Sequence, residues 1–273
     1  MARLLTIVDS DFALDGGAMM GVVPRALWEK QHPPDPRNRI PLVSRFAVVD
    51  DPDAARVWLL DCGLGRDWNP KELDIYDIRP RGTDARTLLH DAGIAPDSVT
   101  DLVLTHLHFD HAGGIARRDP TGKLALAFPA ARHHVQASHW SWARSPTPKD
   151  AASFRTDHIA LLEASSQLRL VDGSGPLGGA VSVRAVHGHT PGLQLPLVDA
   201  AGGPYLFLAD LVPLWSHLRL PWIMAFDNEP LVTLAEKRAL LQEAASRRWV
   251  LISEHDPGEA TKTLEPPVPV LHR

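Results

Sequence analysis

The segment LVLTHLHFDHAGG, residues 102–114, carries three histidines and an aspartate between an apolar run and a pair of glycines. In an extended chain alternate residues project from the same side, so His106 and His108 can point at one centre. Asp110 and His111 follow where the apolar run has ended, and the glycines permit a tight turn into a helix. Imidazole and carboxylate groups bind divalent metal ions, and this division of the side chains predicts two ions.

Three further ligand-type residues stand at the ends of later apolar runs: His189 in HGHTPG, Asp210 in YLFLAD and His255 in ISEHD. They are needed because each zinc ion takes three or four protein ligands, more than the short motif can supply to two ions. We predict seven metal ligands: His106, His108 and His189 for a first ion, Asp110, His111 and His255 for a second, and Asp210 bridging both.

The elements that must position these residues are indicated by short apolar runs ending in Asp, Gly or Pro. Residues 46–50, 56–63 and 101–106 are predicted to be buried strands, with a helix in 83–94. The same order returns later, with strand-like segments 181–192, 204–210 and 249–256 and a helical segment 229–248. Strands followed by a helix, repeated about twice, favour a layered α/β domain with two sheets.

The composition of the chain excludes several classes of function and site. With 28 Lys and Arg against 33 Asp and Glu, the net charge of −5 gives no general attraction for nucleic acid or anionic membranes. Cys62 is the single cysteine, which excludes an internal disulfide and a cysteine-rich zinc site, and we expect it to be a small buried residue after a strand. The N-terminal segment lacks the features of a secretory signal, and no segment has the length of a transmembrane span, so we expect a soluble, cytoplasmic protein.

The remaining histidines and Asp61 have less specific surroundings. His32, His90 and His158 stand among polar residues and are expected at the surface, whereas His133, His134 and His139 are interpreted as surface or packing residues. Asp61 ends the WLLD run, where it could orient a ligand imidazole through its N–H or cap the following turn.

The motifs THLHFDHAGG and GHTPG, with Asp210 and His255, resemble the metallo-β-lactamase superfamily. The resemblance extends over nearly the whole chain, from ALDGG to SEHDPG. It implies a single α/β domain of residues 1–273, a four-layer αβ/βα sandwich with a dinuclear metal site between its two sheets. The segments DGGAMMGVVPRALWEK, LLDCGLG and ADLVPLWSHLRLPWIMAFD are similar to the branch of quorum-quenching N-acyl-homoserine lactonases.

This resemblance implies a metal-dependent hydrolase that opens a lactone ring through a hydroxide shared by two divalent ions. Zinc is the first expectation, with iron, manganese or cobalt as alternatives because His/Asp sites accept each of them. Asp210 would bridge the ions, and Asp110 would pass a proton to the leaving oxygen. A phosphotriesterase or arylesterase of the same fold and a non-catalytic metal-binding sensor remain alternatives.

Single positions separate this chain from other branches that it resembles. Diiron oxidoreductases carry glutamate where His108 stands, and many true β-lactamases carry cysteine at the position of Asp210, so both activities are disfavoured. Lactonases of this type place a tyrosine where Pro213 stands. His217 is either a replacement donor or a capping or surface histidine.

We expect a small-molecule ester or lactone as the substrate, with neither nucleic acid nor membrane as a partner; a homodimer is compatible with the sequence. An apolar wall for an acyl chain or aromatic ring is expected from the large residues near the predicted ligands. These are Met19, Met20, Trp28, Phe109, Trp215 and Trp222. Core packing is the alternative for each of them except Phe109, which is flanked by predicted ligands.

Overall fold

The computed structural model describes residues 1–265. Its strands are β1 (Arg3–Asp15), β2 (Arg39–Asp51), β3 (Arg56–Leu60), β4 (Arg79–Pro80), β5 (Asp101–Val103), β6 (Ala116–Arg118), β7 (Leu124–Leu126), β8 (Arg132–Gln136), β9 (Leu168–Val171), β10 (Gly175–Gly178), β11 (Val181–Val186), β12 (Leu193–Ala200), β13 (Gly203–Phe207), β14 (Val250–Ile252) and β15 (Thr261–Thr263). Its α-helices are α1 (Gly16–Met20), α2 (Arg25–Trp28), α3 (Pro70–Tyr76), α4 (Ala85–Asp91), α5 (Phe109–Ala112), α6 (Ala137–Ala143), α7 (Thr156–Glu163) and α8 (Pro230–Ser246).

The strands form two large sheets and one small hairpin. The first sheet has the order β4-β1-β2-β3-β5-β8-β9, and the second has the order β10-β11-β12-β13-β14-β15. Strands β3, β5, β8 and β9 run parallel, so the chain leaves the carboxyl ends of these strands at one edge of the first sheet. Loops at such an edge are the usual position of binding groups in α/β proteins.

Alternation along the strands separates two cores. One set of buried residues lies between the two sheets and includes Val49, Trp58, Val103, Val181, Val183 and Val198. The alternate strand residues Val48, Leu59 and Leu102 face the outer side of the first sheet. There they pack with Leu89 of α4, Trp140 of α6 and Leu162 of α7. This two-residue period is what a sheet covered on both faces requires.

Helix α8 covers the outer face of the second sheet. Val183 belongs to the core between the sheets, so its neighbour Arg184 points to the opposite face. There the Arg184 guanidinium pairs with the Glu243 carboxylate of α8 at 3.0 Å. The layers are therefore helices, sheet, sheet and helix, which is the αβ/βα order predicted from the sequence.

The predicted strands at 46–50, 56–63 and 101–106 correspond to β2, β3 and β5, but β2 is longer and β5 ends at Val103. The chain leaves the first sheet there because Thr105 turns toward β12, where the Gln194 N–H donates to its carbonyl at 2.9 Å. Cys62 is buried after β3, as predicted.

The surface prediction for three histidines is confirmed for His90 and is wrong for His158. His158 is 2% exposed, in contact with Asp67, because its helix α7 packs against the first sheet. His32 is half-buried and lies 2.9 Å from the Ser216 hydroxyl. His133, His134 and His139 are all buried and are packing residues. Within residues 1–265, no helix combines the length and the apolar character that crossing a bilayer requires.

Candidate metal centre

The loop after β5 presents the short histidine motif. Two contacts hold it: the Gln194 side-chain amide donates to the Leu104 carbonyl at 2.8 Å, and the Leu107 N–H donates to His139 Nε2 at 2.8 Å. Helix α5 then begins at Phe109 and carries Asp110 and His111 in its single turn. His106 and His108 therefore come from the loop, whereas Asp110 and His111 come from the helix.

The paired glycines are required by close packing rather than by an unusual backbone conformation. Gly113 has an ordinary right-handed φ of −59°. A Cβ atom added to Gly113 would lie 2.1 Å from the Leu64 carbonyl oxygen, and one added to Gly114 would lie 2.1 Å from the Cys62 carbonyl oxygen. Any side chain at either position would therefore push α5 away from the end of β3.

The first group of ligand-type atoms consists of three imidazole nitrogens. His106 Nε2 lies 3.0 Å from His108 Nδ1, and His189 Nε2 lies 3.2 Å from the same atom. His189 reaches the group from the loop between β11 and β12, so the two sheets meet here. All three rings are buried.

The second group consists of His111, His255 and Asp110. His111 Nε2 and His255 Nε2 are 3.1 Å apart, and the two Asp110 oxygens lie 3.8 and 3.7 Å from these nitrogens. His255 follows β14, and its Nδ1–H donates to the Val43 carbonyl of β2 at 3.0 Å.

Asp210 lies between the two groups with one oxygen toward each. Its Oδ2 is 3.2 Å from His189 Nε2 and 3.9 Å from His106 Nε2. Its Oδ1 is 3.1 Å from His255 Nε2 and 3.5 Å from His111 Nε2. The structure thus brings all seven predicted ligand residues together in the grouping predicted from the sequence.

The donor chemistry of the second group fits a cation. The Nδ1–H of His255 is used by Val43, and Nδ1 of His111 faces the Asp61 and Glu254 carboxylates at 3.2 and 2.9 Å. A neutral imidazole with its proton on Nδ1 has a lone pair on Nε2, so if both rings were neutral, two lone pairs would face each other at 3.1 Å. Without a cation, one of the two nitrogens must therefore hold a proton. Asp210 Oδ1, which is buried without a hydrogen bond, points to the same place. A divalent ion would turn these repulsions into coordination bonds.

The ionisation of the site supports the same conclusion. Burial, followed by the neighbouring His111 and His108, holds the pKa of His106 well below its ordinary value. Burial opposes ionisation of Asp210, but His111, His189 and His255 together hold its pKa well below the usual range. A neutral imidazole and an ionised carboxylate are the protonation states that ligate metals, and His106 and Asp210 already hold them. For His189 and His255, burial lowers the pKa but Asp210 outweighs it and raises the pKa of both rings. Burial lowers the pKa of His111, but Glu254, Asp210 and Asp110 outweigh it and raise that pKa well above its ordinary value. Without a cation, then, His111 retains a proton, with which a metal ion would compete.

Two buried acids that contact ligand imidazoles were missed by the sequence analysis. Asp227 Oδ1 lies 2.8 Å from His189 Nδ1, and Glu254 Oε2 lies 2.9 Å from His111 Nδ1. Asp61, for which two roles were open, contacts His111 and also accepts from the Thr105 hydroxyl at 2.6 Å. Glu254 stands beside His255 in the sequence, which is a weak signal, and the sequence around Asp227 carries no signal for this contact.

Asp227→Asn is expected to weaken binding of the ion near His189 by about 10- to 100-fold, because the carboxylate fixes the ring and increases its basicity. The measurement is a zinc titration against a competing chelator. Asp199→Asn is the matched control, because Asp199 is exposed on β12 and should leave the affinity unchanged. Equal zinc affinity in Asp227→Asn and the unaltered protein would show that Asp227 does not support the ligand.

A cavity of about 350 Å³ opens onto the ligand groups. His108, Asp110, His189, Asp210 and His255 reach its wall. Most of the remaining wall is apolar and comes from Leu14, Met19, Phe109, Met224, Ala225 and Phe226. This volume lies at the small end of the range for small-molecule sites, and the wall suits an apolar group.

Of the residues predicted for this wall, Phe109 and Met19 line the cavity. Met20, Trp28 and Trp222 are instead packed in the core behind it. Met20 differs from Met19 because α1 turns its two methionines to different sides. Trp215 packs against the outer face of the second sheet, where the Lys262 ammonium lies 5.0 Å from its ring centroid and its indole N–H donates to the Glu259 carbonyl at 2.8 Å.

His217 likewise does not reach the cavity wall. Its Nε2–H donates to the Met19 carbonyl at 2.9 Å, and burial lowers the pKa of the ring to about 3. The structure therefore places His217 as a neutral packing residue, and the expectation that it meets the substrate has no geometric support.

The sequence of residues 46–255 matches the model of the metallo-β-lactamase superfamily. That match covers more than half of the chain, and the chain therefore belongs to this superfamily. The family and the ligand groups together identify a metal-dependent hydrolase whose site is suited to divalent ions.

Solved structures with the same fold are similar over nearly the whole chain. A probable metal-dependent hydrolase from Staphylococcus aureus has 22% identity and a TM-score of 0.85, covering 97% of this chain and 92% of that one. AidC, a dizinc quorum-quenching lactonase in complex with a product, has 19% identity and a TM-score of 0.79, covering 98% and 92%. An AiiA variant from B. thuringiensis with N-decanoyl-L-homoserine at its active site has 18% identity and a TM-score of 0.72, covering 93% of each chain.

Proposed function

We propose that this protein hydrolyses the ring ester of lactones, with N-acyl-homoserine lactones as the leading substrate class and two zinc ions as cofactors. One observation carries the proposal. The two oxygens of Asp210 face two separate groups of histidine nitrogens on one wall of a cavity that is otherwise largely apolar. In this assignment His106, His108 and His189 hold the first ion, Asp110, His111 and His255 hold the second, and Asp210 bridges them.

Divalent ions at this site would supply Lewis acidity for the ester carbonyl and lower the pKa of water toward neutrality. The residues of the chain supply the rest. Phe109, Met19 and Met224 give an apolar surface for the acyl chain. Because this surface excludes water, the electrostatic interactions at the ester become stronger.

We assign the proton transfer to Asp110. Its carboxylate belongs to the second group and also reaches the cavity wall. When a water oxygen bonds to the ester carbon and the ring C–O bond breaks, one water proton must reach the leaving alkoxide. A carboxylate between these two oxygens can accept that proton and return it, which leaves a carboxylic acid and an alcohol as products.

The lactonases of the same fold support the substrate class without establishing it, because the identities of 18–19% show the fold alone. Pro213 stands where the lactonases that this chain resembles have a tyrosine. Aryl esters and phosphotriesters therefore remain alternative substrate classes, and the test includes them. The cavity wall suits an aromatic ring as well as an acyl chain.

The test is a matched panel on zinc-, manganese-, cobalt- and iron-loaded protein: N-hexanoyl-homoserine lactone, p-nitrophenyl acetate and paraoxon. We expect the lactone to have the highest kcat/KM, a chelator to abolish turnover and the restored metal to recover it. If the lactone is the poorest substrate by a large factor, the lactonase assignment is wrong and an arylesterase or phosphotriesterase replaces it. Absence of turnover in every metal-loaded form would favour a non-catalytic metal-binding protein.

A further inference from the structure

Tyr76 is a polar residue of the cavity wall to which the proposed mechanism gives no role. It ends α3 and lines the same cavity as Asp110 and Asp210. The Tyr76 ring is half-buried, and its hydroxyl makes no hydrogen bond to another residue in the described part of the chain. A phenol in a largely apolar wall offers one donor to whatever fills the cavity.

Aromatic contacts fix the Tyr76 ring relative to the metal ligands. The Tyr76 and Phe109 ring centroids are 4.8 Å apart, and Phe109 is the residue between His108 and Asp110 in the sequence. The Trp68 ring meets both rings edge-on, at 6.1 Å from Tyr76 and 5.4 Å from Phe109. The phenol is thus packed directly on the segment that carries the ligands.

Helix α3 is held by polar contacts at both ends, although none of its residues, Pro70–Tyr76, is fully buried. Asn69 and Glu72 form a reciprocal capping box at its start. At its end, Arg37 and Arg39 donate to the Asp74 carbonyl at 3.2 and 2.7 Å. A helix that contributes little to the core but is tied at both ends can hold a side chain in a fixed position.

Three other polar side chains outside the ligand groups line this wall, and they are less suited to the substrate. The Asp150 carboxylate is an acceptor that is already used by Trp142, Thr147 and Asn228. The Lys149 ammonium already donates to the Phe226 carbonyl at 2.7 Å and lies 3.4 Å from Asn228 Oδ1. Ser153 ends a short 3-10 turn, Ala151–Ser153, none of whose residues is buried. Burial and then Asp110 raise the pKa of the Tyr76 phenol, so it keeps its proton and remains a donor at neutral pH.

We propose that Tyr76 is a catalytic residue whose hydroxyl donates a hydrogen bond to the carbonyl oxygen of the ester as that oxygen gains negative charge. The inference rests on the proposed ester hydrolysis, but it does not depend on lactones being the preferred class. A donor that is strongest in the transition state raises kcat more than it lowers KM.

The chain provides its own control, because it contains two tyrosines. Tyr76→Phe removes the hydroxyl and keeps the ring contact with Phe109, whereas Tyr205→Phe removes a hydroxyl that donates to the Ala201 carbonyl on the second sheet. With the fastest ester of the panel, kcat is expected to fall about 10- to 100-fold in Tyr76→Phe with little change in KM. Tyr205→Phe should match the unaltered protein.

A second measurement does not depend on turnover. With tyrosine labelled by ¹³C at Cζ, the metal-loaded protein gives two resonances, which the two phenylalanine variants assign. Saturation with the ring-opened product N-hexanoyl-homoserine, or with acetate as the product of an aryl ester, should shift the Tyr76 resonance and leave that of Tyr205 in place.

The proposal for Tyr76 is overturned if Tyr76→Phe hydrolyses the fastest ester at the unaltered rate, or if its resonance does not respond to either product. A larger loss in Ser153→Ala than in Tyr76→Phe would also overturn it, since Ser153 would then be the donor. Failure of the lactonase proposal has a different result: lactones would be the poorest substrate class, but Tyr76→Phe would still slow hydrolysis of the best ester.

Discussion

Asp210→Asn is expected to reduce kcat/KM for the best substrate by at least about 10³-fold, equal to about 4 kcal/mol of transition-state stabilisation. The amide is neutral and keeps one oxygen, so it cannot offer an anionic oxygen to both groups of histidines. In the unaltered protein these oxygens lie 3.2 Å from His189 and 3.1 Å from His255. We expect the metal content after reconstitution to fall from two ions per chain toward one.

The measurements for Asp210→Asn are steady-state kinetics and elemental analysis of the dialysed protein. The control is Asp199→Asn, which changes an exposed aspartate on β12 of the second sheet and should keep both activity and metal. Asp227→Asn should give an intermediate result, because it acts through His189 and leaves every ligand in place. Retention of two ions and of activity within tenfold in Asp210→Asn would contradict the bridging role.

Acid is expected to destabilise the fold below about pH 6.5, because His133 and His217 are buried as neutral rings. Burial lowers the pKa of His133 to about 4 and that of His217 to about 3. An unfolded histidine titrates near pH 6.5, so between pH 6.5 and about 4 the unfolded chain binds more protons than the folded one. As the pH is lowered through this window, the free energy of unfolding therefore decreases by about 1.4 kcal/mol per pH unit for each ring.

His133→Leu tests this prediction because it removes one of these rings from a core position on β8, away from the predicted ligands. Urea unfolding at several values between pH 4.5 and 7.5, at equal metal content, should give a slope about 1.4 kcal/mol per pH unit smaller than that of the unaltered protein. His90→Asn changes an exposed histidine and should leave the slope as it was. An unchanged slope in His133→Leu would mean that His133 does not titrate differently on folding.

Much of the candidate metal centre could be predicted from the sequence because the predicted ligands follow a local rule. Each ligand stands at the end of an apolar run, and the residue types and their order in HLHFDH, HGHT, FLAD and SEHD define the set. Strand ends in an α/β protein meet at a common edge, so residues as far apart as His106 and His255 were predicted to be neighbours. The structure places them in two adjoining groups, with Asp210 3.9 Å from His106 and 3.1 Å from His255.

The cavity wall could not be predicted in the same way. Met19 and Met20 are adjacent and chemically identical, yet only Met19 lines the cavity, because α1 turns the other into the core. Trp28, Trp215 and Trp222 satisfied the composition of a binding wall but are packed in cores. Large apolar residues suit both environments, so their type alone does not distinguish them.

The sequence by itself determined the ligand types, their order and the strands that present them, since hydrophobic periodicity and turn residues are local properties of the chain. The tertiary structure alone decided which side chains contact the predicted ligands and which line the cavity. Asp227 meets His189 from 38 residues away, and Tyr76 meets Phe109 from a different element. The physical reason is that periodicity specifies which face of an element is buried, whereas contacts between distant elements are set only when the two sheets and their loops pack together.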